Sequence, residues 1–282
     1  MVLDAARIRL LRRRRSHDAK AVVTGAGSGI GRAFALELAR RGGHVLCADI
    51  DGERAAETVD LIRASGGRAD PHTCDVADRS QVQALATTAR KLFDGPPTLV
   101  INNAGVGIGG HQVGEIGFDD WDWALGINLW GVVHGCEIFA PLVREAGHGG
   151  IINVASAAGF AAAPVMGPYN VSKAGVMSLS ETLAAELSGT PVAVTVLCPT
   201  FVKTNVAKDG RITAGARGLA DRLMKWTGVS PDAVARETLD ANDLGKLYVV
   251  PQFDANVVWH LKRHFPAQYA WGAGLLNRVL PQ

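Results

Sequence analysis

Short runs of Val, Ile, Leu and Ala recur along the chain at 20–25, 44–49, 69–76, 98–105, 150–156, 191–199 and 245–251. Most are continuously apolar rather than alternating, which suits strands covered by helices on both faces. Between them the apolar spacing shifts to three and four residues, predicting helices at about 30–42, 52–65, 79–93, 118–146 and 168–188. Strand and helix alternate with short connections, so the expected class is α/β, a doubly wound parallel sheet of seven strands with helices on both faces. The segment 168–188 is apolar on nearly every side, with Val171, Ala174, Val176, Leu179, Leu183 and Leu187. Such a helix is expected to cover the sheet and to meet a second surface. No repeat or linker divides the chain, so one domain is expected over 18–251, between an N-terminal arm (1–17) and a C-terminal extension (252–282).

Composition changes this picture little. Hydrophobic residues make up 48% of the 282 and charged residues 20%, an ordinary globular balance. The net charge of +2 argues against a nucleic-acid binder, but it is unevenly spread. Residues 1–16 hold six Arg against Asp4, a charge of +5, which leaves −3 for the remainder. After its positive charges the arm lacks the apolar run of a secretory signal, so it reads as a disordered, solvated segment; weak contact with anionic lipid or nucleic acid is the alternative. Cys47, Cys74, Cys136 and Cys198 lie far apart within apolar runs, the pattern of buried free thiols in a reduced, cytoplasmic setting. Eight scattered His show no metal-ligand spacing, so no metal is expected. No apolar stretch is expected to reach the length of a membrane span.

Candidate chemistry begins where the first strand meets the first helix, at TGAGSGIG (Thr24–Gly31). Gly25, Gly29 and Gly31 let the backbone turn tightly against a pyrophosphate, and the helix N-terminus offers free N–H groups. Asp49 ends the second strand, where a carboxylate accepts from the adenine ribose hydroxyls. A 2′-phosphate would meet a like charge there, and Ser28 brings no cation to offset it, so NAD is expected over NADP. The neighbouring Asp51 is expected to cap the helix starting near Gly52.

Those motifs are followed in order by CDV with Asp75 and Val76, NNAG at 102–105, Asn128 in INLWG, Ser156 in NVASAAG and YNVSK at 169–173. In this the chain resembles the short-chain dehydrogenase/reductase family, in its compact single-domain form, over roughly residues 18–251. Three residues and then one separate the glycines, unlike the two and two of the extended epimerase-like branch. The resemblance implies a Rossmann-like fold and an NAD-dependent oxidoreductase interconverting an alcohol and a ketone or aldehyde. By position, Gly25, Ser28, Gly29, Ile30 and Gly31 would hold the cofactor with Asp49, Asp75 and Val76. Asn103, Ala104 and Gly105 would line its ribose and nicotinamide side, with Val202 and Thr204. Asn128 would interrupt its helix and hold a water, while Ser156, Tyr169 and Lys173 carry the chemistry, Tyr169 and Lys173 also touching the cofactor. The resemblance further implies a homodimer or homotetramer built across the long helices. The chain departs from the family at Pro199-Thr200, where Gly commonly follows Pro.

Tyr169 and Lys173 stand one helical turn apart on one face. A free Tyr, with pKa about 10, is a poor base at neutral pH, and a nearby ammonium is expected to draw it down. A regulator that binds the dinucleotide without chemistry, and an NADP-dependent 3-oxoacyl reductase, are the competing functions. The four-residue set Asn128, Ser156, Tyr169 and Lys173 weighs against the first and Asp49 against the second. Residues 200–230, mixing Gly with Leu, Met and Trp, read as a mobile substrate lid suited to a bulky, apolar small molecule, a sterol-like or long-chain alcohol or ketone. The extension 252–282 holds Phe253, Trp259, Phe265, Tyr269, Trp271, Leu275 and Leu276. These are costly to leave in water and are expected to pack on a neighbouring subunit, with peripheral membrane contact as the alternative. Pro266, Gly272 and Gly274 are expected to interrupt any long helix there.

Overall fold

The computed structural model describes residues 14–204, 210–215, 218 and 228–277. Its strands are β1 (Lys20–Thr24), β2 (His44–Asp49), β3 (Arg68–Thr73), β4 (Leu99–Asn102), β5 (Ile108–Gly109), β6 (Gly149–Val154), β7 (Val192–Leu197), β8 (Arg211–Ile212) and β9 (Tyr248–Val249). Seven of them form one sheet in the order β3-β2-β1-β4-β6-β7-β9. Every neighbouring pair is parallel, so the expected Rossmann-like doubly wound sheet is the fold observed. The helices are α1 (Gly29–Arg40), α2 (Gly52–Ala64), α3 (Arg79–Leu92), α4 (Phe118–Leu125), α5 (Gly131–Glu145), α6 (Ala158–Ala161), α7 (Gly167–Glu186), α8 (Pro231–Asp243), α9 (Phe253–His264) and α10 (Pro266–Asn277).

The period of two along each strand divides the core. Ala21 and Val23 face Phe34 and Leu38 of α1 and Val234 and Leu239 of α8. Val22, between them, faces the opposite layer with Val82 of α3, Phe139 of α5 and Val176 of α7. Both faces of β6 and β7 are buried throughout, which is why their runs are continuously apolar. After β1 the chain winds outward through β2 and β3, then returns as β4 on the other side of β1. The carboxyl ends of β1 and β4 therefore diverge into loops over one crevice, the switch point at which such sheets bind ligands.

Several elements differ from expectation. The runs at 69–76 and 98–105 leave the sheet at Thr73 and Asn102, and the last run pairs through Tyr248–Val249 alone. α8 lies beyond the helices that apolar spacing predicts, although Ser230 caps it by accepting from Ala233 N and Pro231 opens it. Residues 14–17, expected in a disordered arm, form a turn that seals the end of α8. Arg15 Nη1 donates to the carbonyls of Asn242 and Asp243, and buried Ser16 bonds the Asp243 carboxylate through its N and Oγ. A cation on the last carbonyls of a helix answers both their unpaired lone pairs and the dipole. Buried Arg41 extends the network to Glu37 and Asp240. Residues 1–13 of the arm lie outside the described residues, as do 205–209, 216–217 and 219–227 of the expected lid and 278–282 of the extension.

The expectation that no stretch reaches a membrane-spanning length is corrected. Phe118–Glu145 runs as one helical stretch of 28 residues, long and apolar enough to cross a membrane by length and composition. Its inward residues Val132, Cys136, Phe139, Ala140 and Val143 are buried in the core, so it is a core helix. α7 is less enclosed than its composition suggests, with Val171, Ala174, Ser178, Thr182 and Ala185 exposed. In the extension Pro266 does break the helix, but Gly272 and Gly274 lie within α10 rather than interrupting it. Part of the aromatic surface expected to need a second subunit or a membrane is covered by the chain itself. Trp259 packs edge-on against Phe160, centroids 4.9 Å apart, and against Tyr248 at 4.8 Å. Phe253, Phe265 and Trp271 remain exposed.

Candidate active site

The glycine turn is shaped by contacts that exclude side chains. Gly25 and Gly29 have φ of +63° and +53°, and a Cβ on Gly31 would collide with the Gly25 carbonyl. Ser28 is the N-cap of α1 but its side chain makes no capping bond, leaving the first-turn N–H groups directed out of the helix end. This is a cradle that fits a dinucleotide pyrophosphate, with Ile30 packed at its rim.

The neighbouring loop is locked to the cradle by a residue whose role sequence reasoning missed. Thr24 Oγ1 accepts from Asn103 N at 3.0 Å and Ala104 N at 3.1 Å. In return Asn103 Nδ2 donates to Thr24 O at 2.8 Å and Gly25 O at 3.2 Å. The usable signal was a hydroxyl at a strand end, next to the first glycine.

Asp49 stands at the end of β2 as expected. Its Oδ2 accepts from Gly27 N at 2.8 Å and its Oδ1 from Asp51 N at 3.0 Å, so it also holds the turn. Asp51 caps α2 by accepting from Glu53 N and Arg54 N. Two cations that the sequence reading did not weigh border this corner. Arg32 donates to Gly27 O and pairs with Glu57, and Arg54 pairs with Asp51. Asp75 Oδ1 accepts from Ala77 N, fixing the loop after β3, and Val76 is buried beside Gly131 with its carbonyl bonded to His134 Nδ1.

Asn128 interrupts its helix, as expected, in a π-helical turn over Gly126–Trp130. Fully buried, it grips the strand end after NNAG. Its Oδ1 accepts from Val106 N at 2.8 Å and its Nδ2 donates to Val106 O at 2.9 Å. Gly105 lies between two polar groups, since a Cβ there would sit 2.9 Å from Asn128 Oδ1 and 3.4 Å from Lys173 Nζ.

Ser156 follows β6 at the carboxyl edge. Its Oγ donates to Pro199 O at 3.3 Å and accepts from Ala158 N at 3.2 Å, so a turn-forming role coexists with its place in the site. The Ser156 side chain lies near enough to the Tyr169 phenol to favour its ionised form. Lys173 lies 5.7 Å from the Tyr169 ring centroid and its Nζ donates to Val154 O at 3.0 Å. Tyr169 is half-buried as a residue, but its hydroxyl lies at depth.

The expected lowering of the Tyr169 pKa by Lys173 is corrected. Burial raises the phenol above its ordinary value, and the nearby Ser156 side chain opposes that rise in part. Burial acts on the ammonium as well, lowering Lys173 to about 8, with nearby Cys198 acting in the opposite sense. Packing removes both groups from water more completely than their spacing on one helix suggests.

The chain from Ser156 to Tyr169 is strained. Ala162 and Val165 have φ of +51° and +57°, a left-handed conformation that costs about 1–2 kcal/mol for such residues. Val202 is buried and pairs with Val229, and Thr204 packs over Gly29, joining the start of the expected lid to the cradle. Another described part of the expected lid, β8, pairs with β5, while Arg211 bonds Asp120 at 2.7 Å and stacks on Trp123 at 4.2 Å. Beside this ribbon is a cavity of about 310 Å³ lined by Ile108, His111, Ile116, Pro168, Arg211 and Thr213 among others. Its lining includes none of Ser156, Tyr169 and Lys173, though Pro168, the neighbour of Tyr169, is part of it.

A glycine-lined turn at a sheet's switch point, with a phenol and a buried ammonium beside it, is an arrangement suited to dinucleotide-dependent oxidoreductases. The family model for short chain dehydrogenases matches residues 19–214, and the chain belongs to that family. It is 37% identical over 234 residues to EphD of Mycobacterium tuberculosis, a protein named as an oxidoreductase. That match covers 79% of this chain and 39% of EphD, so the chain spans well under half of that relative's length. It is 34% identical over 254 residues to SadH of the same organism, also named as an oxidoreductase, covering 88% of this chain and 91% of SadH. A short chain dehydrogenase/reductase from Burkholderia phymatum, solved in complex with NAD, has a similar structure. Its TM-score is 0.82 at 35% identity, covering 89% of this chain and 94% of that one.

Proposed function

We propose that this protein is an NAD-dependent oxidoreductase that interconverts an alcohol and a ketone or aldehyde. The observation that carries the reading is the meeting of Ser156, Tyr169 and buried Lys173 beside the glycine cradle. Bound nicotinamide supplies or accepts the hydride, and the chain's own residues manage the substrate oxygen. Ser156 Oγ holds that oxygen and stabilises charge developing on it. Tyr169 gives its proton to a carbonyl oxygen in reduction and takes one from a hydroxyl in oxidation. Lys173 places a buried cation 5.7 Å from the Tyr169 ring, within reach of the cofactor's ribose side, and Asn128 holds the loop that carries Gly105 beside it. A regulator that only binds the dinucleotide is disfavoured, since it gains nothing from an ammonium buried at such cost.

The pH dependence follows from the phenol. Its pKa is raised by burial, so Tyr169 is protonated at neutral pH and ready to donate. Carbonyl reduction should hold at neutral pH and decline in alkali, while alcohol oxidation should climb as pH approaches the phenol's pKa. Steady-state rates in both directions from neutral to alkaline pH test this, and parallel profiles would remove Tyr169 from the proton transfer.

Cofactor choice rests on Asp49, whose carboxylate faces the Gly27 turn while Arg32 and Arg54 are engaged with Glu57 and Asp51. NAD should bind at least about tenfold more tightly than NADP, about 1.4 kcal/mol. Asp49→Ser should narrow the gap. Titration of both cofactors decides it, and equal wild-type affinities would refute the role given to Asp49.

The substrate is a bulky, apolar small molecule, a reading supported by Ile108, Ile116 and Ile212 around the β5–β8 ribbon. A homodimer or homotetramer across α5 and α7 would cover the exposed Val171, Ala174 and Ser178. Four buried free cysteines support a cytoplasmic setting.

A further inference from the structure

The chain from Ser156 to Tyr169 sets how the two hydroxyls are placed relative to each other, and Ala162 and Val165 hold left-handed conformations within it. Three carbonyls along this strained segment are each held by a donor from elsewhere. Val165 O accepts from Gly110 N at 2.8 Å, in the loop after β5. Ala163 O accepts from Asn170 Nδ2 at 2.7 Å, in α7. Ala161 O accepts from Tyr269 Oη at 2.7 Å, in α10.

The extension also reaches the opposite loop. Buried Gln252, just before α9, accepts from Thr200 N through Oε1 and donates to Phe201 O through Nε2, both at 3.1 Å. Thr200 is the residue at which the chain departs from Pro-Gly, and the preceding Pro199 carbonyl takes the Ser156 hydroxyl. Between the two ties, Trp259 packs on Phe160 of α6, and Gly159 of α6 lies against the Lys173 backbone. The contacts are therefore continuous from the extension to Ser156 and Lys173.

We propose that Gln252 and Tyr269 are positioning residues for the reaction, through which the C-terminal helices fix the two loops flanking the catalytic Ser–Tyr pair. The inference rests on the dehydrogenase reading above. A bulky substrate leans on both loops, whereas a small one needs only the hydroxyl pair, so the ties act on substrate affinity more than on the chemical step. Burial raises the Tyr269 phenol, so it remains a donor across the working pH range.

The test compares wild type with Tyr269→Phe, which keeps the ring, and Gln252→Met, which keeps the length. Isopropanol, cyclohexanol and menthol are oxidised with NAD, and hydrogen exchange is followed at 158–166 and 199–202. The expected result is a KM raised about fivefold for cyclohexanol and menthol, the scale of one lost hydrogen bond. KM for isopropanol, kcat, its pH profile and NAD affinity should stay within about twofold. Exchange should quicken at 158–166 in Tyr269→Phe and at 199–202 in Gln252→Met. Unchanged exchange, an unchanged KM for the bulky alcohols, or an equal rise for isopropanol would each overturn the proposal. If wild type oxidised no alcohol and reduced no matching ketone, the dehydrogenase reading would fail, and the positioning role in catalysis with it. Exchange would still report separately whether the two ties hold the loops.

Discussion

Tyr169→Phe is expected to fold, to bind NAD with nearly wild-type affinity, and to turn over at least about a hundredfold more slowly. The substitution removes one oxygen. The ring stays beside Lys173 in α7, and the cradle at Gly25–Gly31 makes no contact that depends on the phenol. What is lost is the donor to a carbonyl oxygen. Ser156 alone cannot replace it, because its hydroxyl can turn from Pro199 O to hold the substrate oxygen but is too weak an acid to give up its proton. The effect should therefore fall on kcat and on kcat/KM alike, the signature of an interaction made in the transition state. Single-turnover rates and NAD titration of the variant measure the two halves. Wild-type turnover on a verified substrate would contradict the mechanism.

Lys173→Met should lose activity and gain stability. Lys173 is 3% exposed, and burial lowers its pKa from 10.5 to about 8. At ~1.4 kcal/mol per pH unit this places the burial penalty at roughly 3 kcal/mol. Methionine matches the length without charge but forfeits the bond to Val154 O, at a cost of about 1 kcal/mol. The net gain is roughly 2 kcal/mol, or about 4–8 °C in Tm. Its pH dependence has a definite sign. Below about 8 both folded and unfolded wild type carry the charged lysine, so the folded state bears the whole penalty. Between about 8 and 10.5 the folded state releases the proton first, wild type gains stability, and the advantage of Lys173→Met fades. Thermal melts at neutral pH and near the upper limit of that window test this. A variant less stable than wild type at neutral pH would mean that the ammonium is compensated in the fold.

Much of the fold was legible because strand burial leaves a plain mark. β6 and β7 are covered on both faces and read as unbroken apolar runs, and the chain order alone then implied a parallel sheet. The candidate site residues came from the resemblance, through the order and spacing of its motifs, and the structure brings Asn128, Gly105, Lys173, Tyr169 and Ser156 near one another. What escaped had no local mark. NNAG reads as one motif, yet Asn103 turns to Thr24 while Asn102 turns inward to Asn153 at 2.8 Å. The pKa of Tyr169 depends on how deeply α7 packs, which spacing along one helix does not carry. The bonds of Gln252 and Tyr269 join segments remote in sequence, for which no periodicity exists. α8 is a different case, since Ser230-Pro231 marked its start but fell at the edge of a stretch read as lid.

The central claim is that hydride passes directly between an alcohol carbon and NAD while Tyr169 handles the proton. Its most direct test uses a secondary alcohol carrying deuterium on the carbinol carbon, incubated with wild-type protein and NAD. The reduced cofactor is then isolated and weighed by mass spectrometry. The account predicts one deuterium in each reduced nicotinamide, matched by one ketone formed, and almost none of either with Tyr169→Phe. Ketone formed with the deuterium lost to solvent, or reduced cofactor carrying only protium, would contradict it.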